Sequence, residues 1–408
     1  MTTRHYADWV ARLEVQSRQQ PRWYRTKVVL WVLMGFGLVA LLLGMSGLGL
    51  AVLAGGALWM LTAGPKSLLV LFKLGKLLLL LALPLGRMIW TGTRALLVRL
   101  PPPQGQPLLR EEAPQLFEAL DRMQSKLKGP AFHQVLLIDE MNAAVVQRPL
   151  FGWIGFPRNT LLLGLPLLES LSAREALAVV AHEYGHLAAE HSRFGAYIYR
   201  LRSSWRQIQD LTLQWEGLTG RFMRGLVGLY APAFDAYTFV LARAQEYEAD
   251  RTGARLLGAE AMASALKRLP LAAAHEQQVY GQLWKRARQE AGAPKDAAFA
   301  WAQEAPSSCR QQDAPLWLGR ALERQADLLD THPSLSDRLR RLRQGSEAPM
   351  PLRGPSAAEA WLVKRLPAWR RHFSEAWAAR TQDVWEQRHA ALQSQREQLR
   401  ILQGRTAC

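Results

Sequence analysis

From Val28 to Ala63 the chain carries no charged residue. A run of that length restricts the fold more than any other feature, because so long a charge-free stretch is rare in soluble domains. A bilayer needs about 20 apolar residues per helical span. The run is therefore too long for one crossing and suits two short ones. Gly44-Met45-Ser46-Gly47-Leu48-Gly49 marks the expected turn between them. Trp23, Tyr24 and Trp59 stand near the ends, where interfacial aromatics belong. The leader before Val28 is too long, and the apolar run too extended, for a cleaved signal peptide.

Leu68 to Leu85 is leucine-rich but carries Lys73, Gly75, Lys76 and Pro84. Two lysines near a span centre cost roughly 5–7 kcal/mol on an insertion scale, which the leucines only just offset. The segment reads as a helix in the interface, with Lys73, Lys76, Arg87, Arg94 and Arg99 near anionic headgroups, and otherwise as a third span. The leader is basic (Arg4, Arg12, Arg18, Arg22, Arg25, Lys27), and so is the stretch after the apolar run (Lys66, Lys73, Lys76). Basic flanks on both sides fit a hairpin that leaves and returns to the cytoplasm.

The charge needs a reading of its own. Lys plus Arg number 51 against 34 Asp plus Glu, a net +17. No DNA- or RNA-reading motif appears, and the basic residues are spread rather than interleaved with aromatics, so a lipid bilayer is expected and no nucleic-acid partner. A membrane-bound nucleic-acid binder is suggested by charge alone and leaves the histidine motif from His182 to His186 unexplained. Cys309 and Cys408 are the only cysteines, which implies no disulfide framework and suits a reducing compartment.

Beyond the linker Pro101-Pro102-Pro103-Gln104-Gly105, Leu108 to Lys128 has helical periodicity. Gln134 to Gln147 is strand-like and Asn159 to Leu163 is its expected partner. Ser172 followed by Glu175 reads as a capping box opening a helix. That helix carries His182-Glu183-Tyr184-Gly185-His186. Residues four apart share a helix face, so both imidazoles point at one spot, where they can hold Zn²⁺ while Glu183 serves the water such a metal activates.

A catalytic zinc keeps three protein ligands. His191 fails as the third, because Ala189 and Ser192 stand where that pattern wants Gly and His. Glu190 points outward. Glu246-Tyr247-Glu248-Ala249-Asp250 lies on a second helical stretch from about Thr238 to Leu257. Glu246 and Asp250 share a face and Glu248 does not. Glu246 can ligate, and Asp250 can accept a hydrogen bond from a ligand histidine's free N–H. Phe222 to Val240 is apolar, but Arg224, Pro232 and Asp235 argue for a half-buried helix there. Trp361, Trp369, Trp377 and Trp385 in the tail do not form one stripe and read as core.

These motifs, His-Glu-x-x-His and then Glu-x-x-x-Asp, resemble those of the HtpX-like and CAAX-prenyl-protease type of membrane zinc metallopeptidases. Met141-Asn142-Ala143-Ala144-Val145 is similar to the family's Asn-Ala strand. Leu161 to Leu168 resembles the strand and turn before the zinc helix, and Thr331-His332-Pro333 with Arg338 resembles its His-Pro-x-x-x-x-Arg motif. The likeness spans Val135 to Leu342. It implies a mainly α protein with a small β-sheet, an α+β zincin-like domain preceded by a transmembrane helical hairpin. It also implies one Zn²⁺ per chain and hydrolysis of protein or peptide substrates. His332, with Arg338, would stabilise the oxyanion. Asn142, Ala143 and Ala144, on a sheet edge, would bind the substrate backbone. The setting would be a bacterial inner membrane with the catalytic domain facing the cytoplasm, and the role membrane-protein quality control. The many spans of true CAAX proteases are absent, which argues against prenyl processing. The alternative is a catalytically weak relative acting as membrane scaffold or chaperone-like binder. The expected division is a leader at 1–27, a hairpin at 28–64, an interfacial helix or third span at 65–100 and a linker at 101–107. A zinc metallopeptidase domain at 108–346 and a helical extension at 347–408 complete it.

Overall fold

A computed structural model describes residues 3–96, 102–149, 157–188, 217–297, 301, 313–324, 332–349, 351–352 and 354–406. In chain order these form α1 (Thr3–Gln19), α2 (Pro21–Thr62), α3 (Pro65–Leu96), β1 (Gln106–Pro107), α4 (Pro114–Leu127), β2 (Gln134–Ile138), β3 (Ala143–Pro149) and β4 (Pro157–Gly164). There follow α5 (Leu165–Ser170), α6 (Ala173–Ala188), α7 (Gly217–Leu257) and α8 (Ala259–Lys285). After a 3₁₀ turn at Arg286–Arg288 come α9 (Ala314–Glu323), α10 (Leu335–Leu342), α11 (Ala357–Leu362) and α12 (Leu366–Thr406). The protein is thus mainly helical with one small sheet. Two compact units are drawn from this list, one from residues within 1–101, 149–157 and 190–245, the other from 102–148, 158–189 and 246–408.

In the first unit the apolar run does not turn where its glycines suggested. α2 passes unbroken through Gly44 to Gly49, because glycine is tolerated inside long apolar helices and nothing there stops the backbone. The reversal comes at Ala63-Gly64-Pro65. Gly64 has φ +110°, a conformation open to glycine, and Pro65 opens the next helix. The hairpin is therefore α2 with α3, and Leu68 to Leu85 is its second arm. α2 and α3 pack along each other. Leu71, Gly75, Leu78, Ala82 and Leu85 form α3's half-buried seam, and Leu85 reaches Gly49 of α2.

The lower part of α2 is buried instead against α1 and α7. Tyr24, Val28 and Val32 are buried, as are Val10 and Leu13 of α1. The Tyr24 hydroxyl donates to the Tyr237 carbonyl at 2.8 Å, and Trp31 stacks on Tyr237. Tyr230, Phe234, Phe239 and Val240 are buried while Leu229 is exposed, so this stretch of α7 is the expected half-buried helix.

The second unit holds the sheet, in the order β1-β2-β4-β3. β2 runs parallel to β4, with Gln134 opposite Thr160 and Ile138 opposite Gly164. The strand expected from Gln134 to Gln147 is two strands. A tight turn, with Asn142 N–H donating to Glu140 O, separates β2 from β3, which leaves β3 at the sheet edge among the described residues. Leu161, Leu163, Leu165, Leu168, Leu171, Val180 and Tyr184 form the centre of the core with Leu116 and Leu120 of α4.

The segment expected as an extension belongs to this core. Ala357, Ala358, Trp361, Leu362, Leu366 and Phe373 are part of it. Ala357 N–H donates to Leu171 O at 2.7 Å, and Arg370 Nε meets Glu169 Oε1 at 2.7 Å. Further along α12, Trp385 is fully buried and stacks on Trp284 of α8, a packing role for these tryptophans.

Candidate metal centre

α6 begins on the expected capping box. Ser172 N–H donates to Glu175 Oε2 at 2.8 Å, and Glu175 N–H donates to Ser172 Oγ at 3.3 Å. The other Glu175 oxygen accepts from Ser264 Oγ and from Arg268 Nε of α8, so the first turn is braced from two sides. One face of the helix, Ala176, Val180, Ala181, Tyr184 and Leu187, is buried in the core. The histidines follow from the helical period, with His182 and His186 ring centroids 5.0 Å apart.

α7 crosses close to α6 because two glycines remove side chains at the crossing. A Cβ on Gly185 would lie 3.3 Å from Ala249 Cα, and one on Gly253 would lie 2.9 Å from Ala178 O. This close approach sets Glu246 beside the imidazoles. His186 Nε2 is 3.3 Å from Glu246 Oε1, and His182 Nε2 is 3.5 Å from Glu246 Oε2. One ligand atom from each of His182, His186 and Glu246 lies within 4.8 Å of the others. Glu246 Oε2 is buried with no hydrogen-bond partner. Two imidazole nitrogens and a carboxylate oxygen around such an orphaned acceptor are a donor set that a divalent cation of zinc's preferences fits.

The surroundings orient this set. His182 Nδ1 is 2.9 Å from Asp250 Oδ1. Asp250 in turn takes both arms of Arg338 from α10, Nη2 to Oδ1 at 2.6 Å and Nε to Oδ2 at 2.8 Å. Glu183 Oε1 lies 3.9 Å from His182 Nε2, and His332 Nε2 lies 3.6 Å from Glu246 Oε2. The His332 side chain is 60% exposed, at the rim.

Burial opposes the charged forms of His182, Glu183, Glu246 and Asp250, and partners outweigh it at all of them but Glu183. For His182, burial works against the imidazolium, but the Asp250 and Glu246 carboxylates outweigh it and raise it to about 9. Burial would lift the Glu246 carboxyl, yet His182 and His186 hold it well below the carboxylate range. Asp250 is likewise held low against burial by Arg338 and His182. Glu183 is pushed up, chiefly by burial.

The structure thus brings His182, Glu183, His186, Glu246, Asp250, His332 and Arg338 to one place. Arg338 is seated on Asp250 behind His182 with a side chain only 13% exposed, and His332 is the more exposed of the two residues for which the resemblance implied an oxyanion role. Asn142 is exposed, with Ala143 buried and Ala144 half-buried on the edge strand. Glu190, His191, Arg99 and Thr331 lie outside the described residues. The close-packing glycines and the Glu175 brace had no prior signal beyond the capping box, since neither has meaning before the partner helix is known.

No curated protein and no solved structure matched the chain. The model of one family, peptidase family M48, matches residues 113–346. Those residues include the two histidines on α6, Glu246 and Asp250 on α7, and His332 and Arg338. The chain belongs to peptidase family M48, and so to the peptidases acting on protein or peptide substrates.

Proposed function

We propose that this peptidase is a membrane-anchored zinc endopeptidase in which His182, His186 and Glu246 hold the ion. The observation that carries the reading is the convergence of those three side chains, one ligand atom from each lying within 4.8 Å of the others. Bound there, zinc would supply Lewis-acid polarisation of the scissile carbonyl and a water acidic enough to attack at neutral pH.

The chain's own groups do the rest. Glu183 takes the proton from the attacking water and passes it to the leaving amine. Asp250 accepts the Nδ1–H of His182, which turns Nε2 toward the ion, and the Arg338 fork keeps Asp250 ionised and in place. His332 donates to the carbonyl oxygen as negative charge develops on it. Asn142 to Ala144, on the strand at the edge of the sheet among the described residues, pair with the substrate backbone as an added strand.

The anchor is the distal part of the α2–α3 hairpin. Leu41, Met45, Leu48, Val52, Leu58 and Trp59 of α2 are exposed, and Lys66 and Arg87 bracket the apolar part of α3. That stretch of 21 positions (87 − 66) is about 31 Å at 1.5 Å per residue, close to the thickness of a hydrocarbon core. Both chain ends of the hairpin then emerge on one side, in the cytoplasm by the basic leader. Turnover of membrane proteins is the role such a placement serves.

Metal analysis and proteolysis test the reading together. Purified protein should carry about one zinc per chain, with less after His182→Ala, His186→Ala or Glu246→Gln. Glu183→Gln should keep metal and fold yet lose cleavage of casein. Full zinc in Glu246→Gln with loss in Glu248→Gln would displace Glu246 from the set, and undiminished casein cleavage by Glu183→Gln would remove the base.

A further inference from the structure

α3 has two seams. One, Leu71, Gly75, Leu78, Ala82 and Leu85, is half-buried along α2. The other, Leu69, Lys73, Lys76, Leu80, Leu83 and Arg87, follows the same alternation of four and three and is exposed at every position. That spacing is the pattern by which one helix packs along another. Trp90, 67% exposed, continues it.

This inference rests on the anchoring reading above. With Lys66 and Arg87 at the two faces of the bilayer, Lys73 and Lys76 are seven and ten positions along a path of 21. They stand about 10 and 15 Å from the Lys66 end, in the middle of the hydrocarbon and too deep for the headgroups to serve both. Neither has an ion-pair partner among the described residues. Charged side chains at such depth are paired or line a polar cavity. A second copy offers nothing to pair with, because Pro21 to Leu96 contains no Asp or Glu, and copies meeting along this stripe would set lysine against lysine.

We propose that the outer stripe of α3 docks a transmembrane helix of another protein, one that carries a carboxylate at mid-bilayer depth facing Lys73 and Lys76. Apolar contact comes from Leu69, Leu80 and Leu83, and selectivity from the two ammonium groups. A peptidase with this stripe would engage acid-bearing spans and pass over purely apolar ones.

The test uses full-length protein with a donor fluorophore at its N-terminus, reconstituted in phosphatidylcholine vesicles. The probes are acceptor-labelled leucine–alanine transmembrane peptides with a single central Asp, Leu or Lys. Energy transfer should appear with the Asp peptide and be lost with the Leu and Lys peptides. It should also be lost in the double variant Lys73→Leu, Lys76→Leu. The charge-reversed pair Lys73→Glu, Lys76→Glu should regain transfer, now to the Lys peptide, which guards against a variant that simply fails to insert. Equal transfer to all three peptides, or none to any, overturns the proposal. So does a response only to added phosphatidylglycerol, which would assign the lysines to lipid headgroups. Release of the parent protein by alkaline carbonate would overturn the anchoring reading itself, whereas retention without peptide preference overturns the docking alone.

Discussion

Arg338 and His332 arrive on the same stretch of chain, and the proposed mechanism gives them different work. Arg338→Lys keeps the charge but loses the fork on Asp250. Removing such an outer partner costs about 10–100-fold in metal affinity, so the variant should bind zinc more weakly while the zinc-saturated enzyme keeps most of its kcat. His332→Phe should do the reverse, holding zinc and losing about 10²–10³ in kcat with KM little changed. Zinc titration beside steady-state kinetics separates the two, and an Arg338→Lys variant with parental affinity and a collapsed kcat would restore the oxyanion role. The histidines and the Glu246–Asp250 pair were legible because each pair is local, four residues apart on one helix. The seat of Arg338 was not, since the partner that fixes it is 88 residues away and no periodicity reports on that.

At the scale of elements, α6 shows how a helix start can be held by charge. The side chains of Glu175 and Arg268 are 7% and 4% exposed. Taking away one partner of a buried pair costs about 3–5 kcal/mol, so Glu175→Gln should lower the melting temperature markedly. The pH dependence has a definite sign. Burial alone would raise the Glu175 carboxyl, but Arg268, Ser264 and Ser172 hold it below its ordinary 4.5. A depressed carboxyl stabilises the fold above that unfolded value, and the contribution is lost as pH falls through the folded one. The parent should therefore lose stability below about pH 4.5 more steeply than Glu175→Gln. α2 gives the second test. Its continuity moves the far end of the hairpin from Gly47 to Gly64. A cysteine at Gly64 should react with a membrane-impermeant reagent in intact cells, while one at Thr2 or Gln104 should not; labelling at Gln104 from outside would mean an odd number of crossings. Composition made the apolar run plain, but the turn was misplaced because glycine inside an apolar helix looks the same in sequence as glycine ending one. Pro65 after Gly64 was the signal that separated them.

Across the whole molecule the family's stretch ends at residue 346, but the core does not. Phe373, Leu366, Leu362 and Trp361 close it, and Ala357 bonds the backbone of Leu171 just ahead of α6. A chain cut after Ser346 should fail to give a cooperative melting transition and should expose apolar surface to a hydrophobic dye, with the full chain as reference. A cooperative, dye-silent fragment would make the tail dispensable. The closing strap also has a consequence in time. A ribosome adds about 5–20 residues per second and the chain emerges from its beginning. The histidine helix is therefore complete before Ala357 to Phe373 exist, and for about 8–34 seconds its inner face is covered by α4 and the sheet but not by the closing strap. In that interval the core around the histidine helix is incomplete, and it closes only once Ala357 to Phe373 have been made.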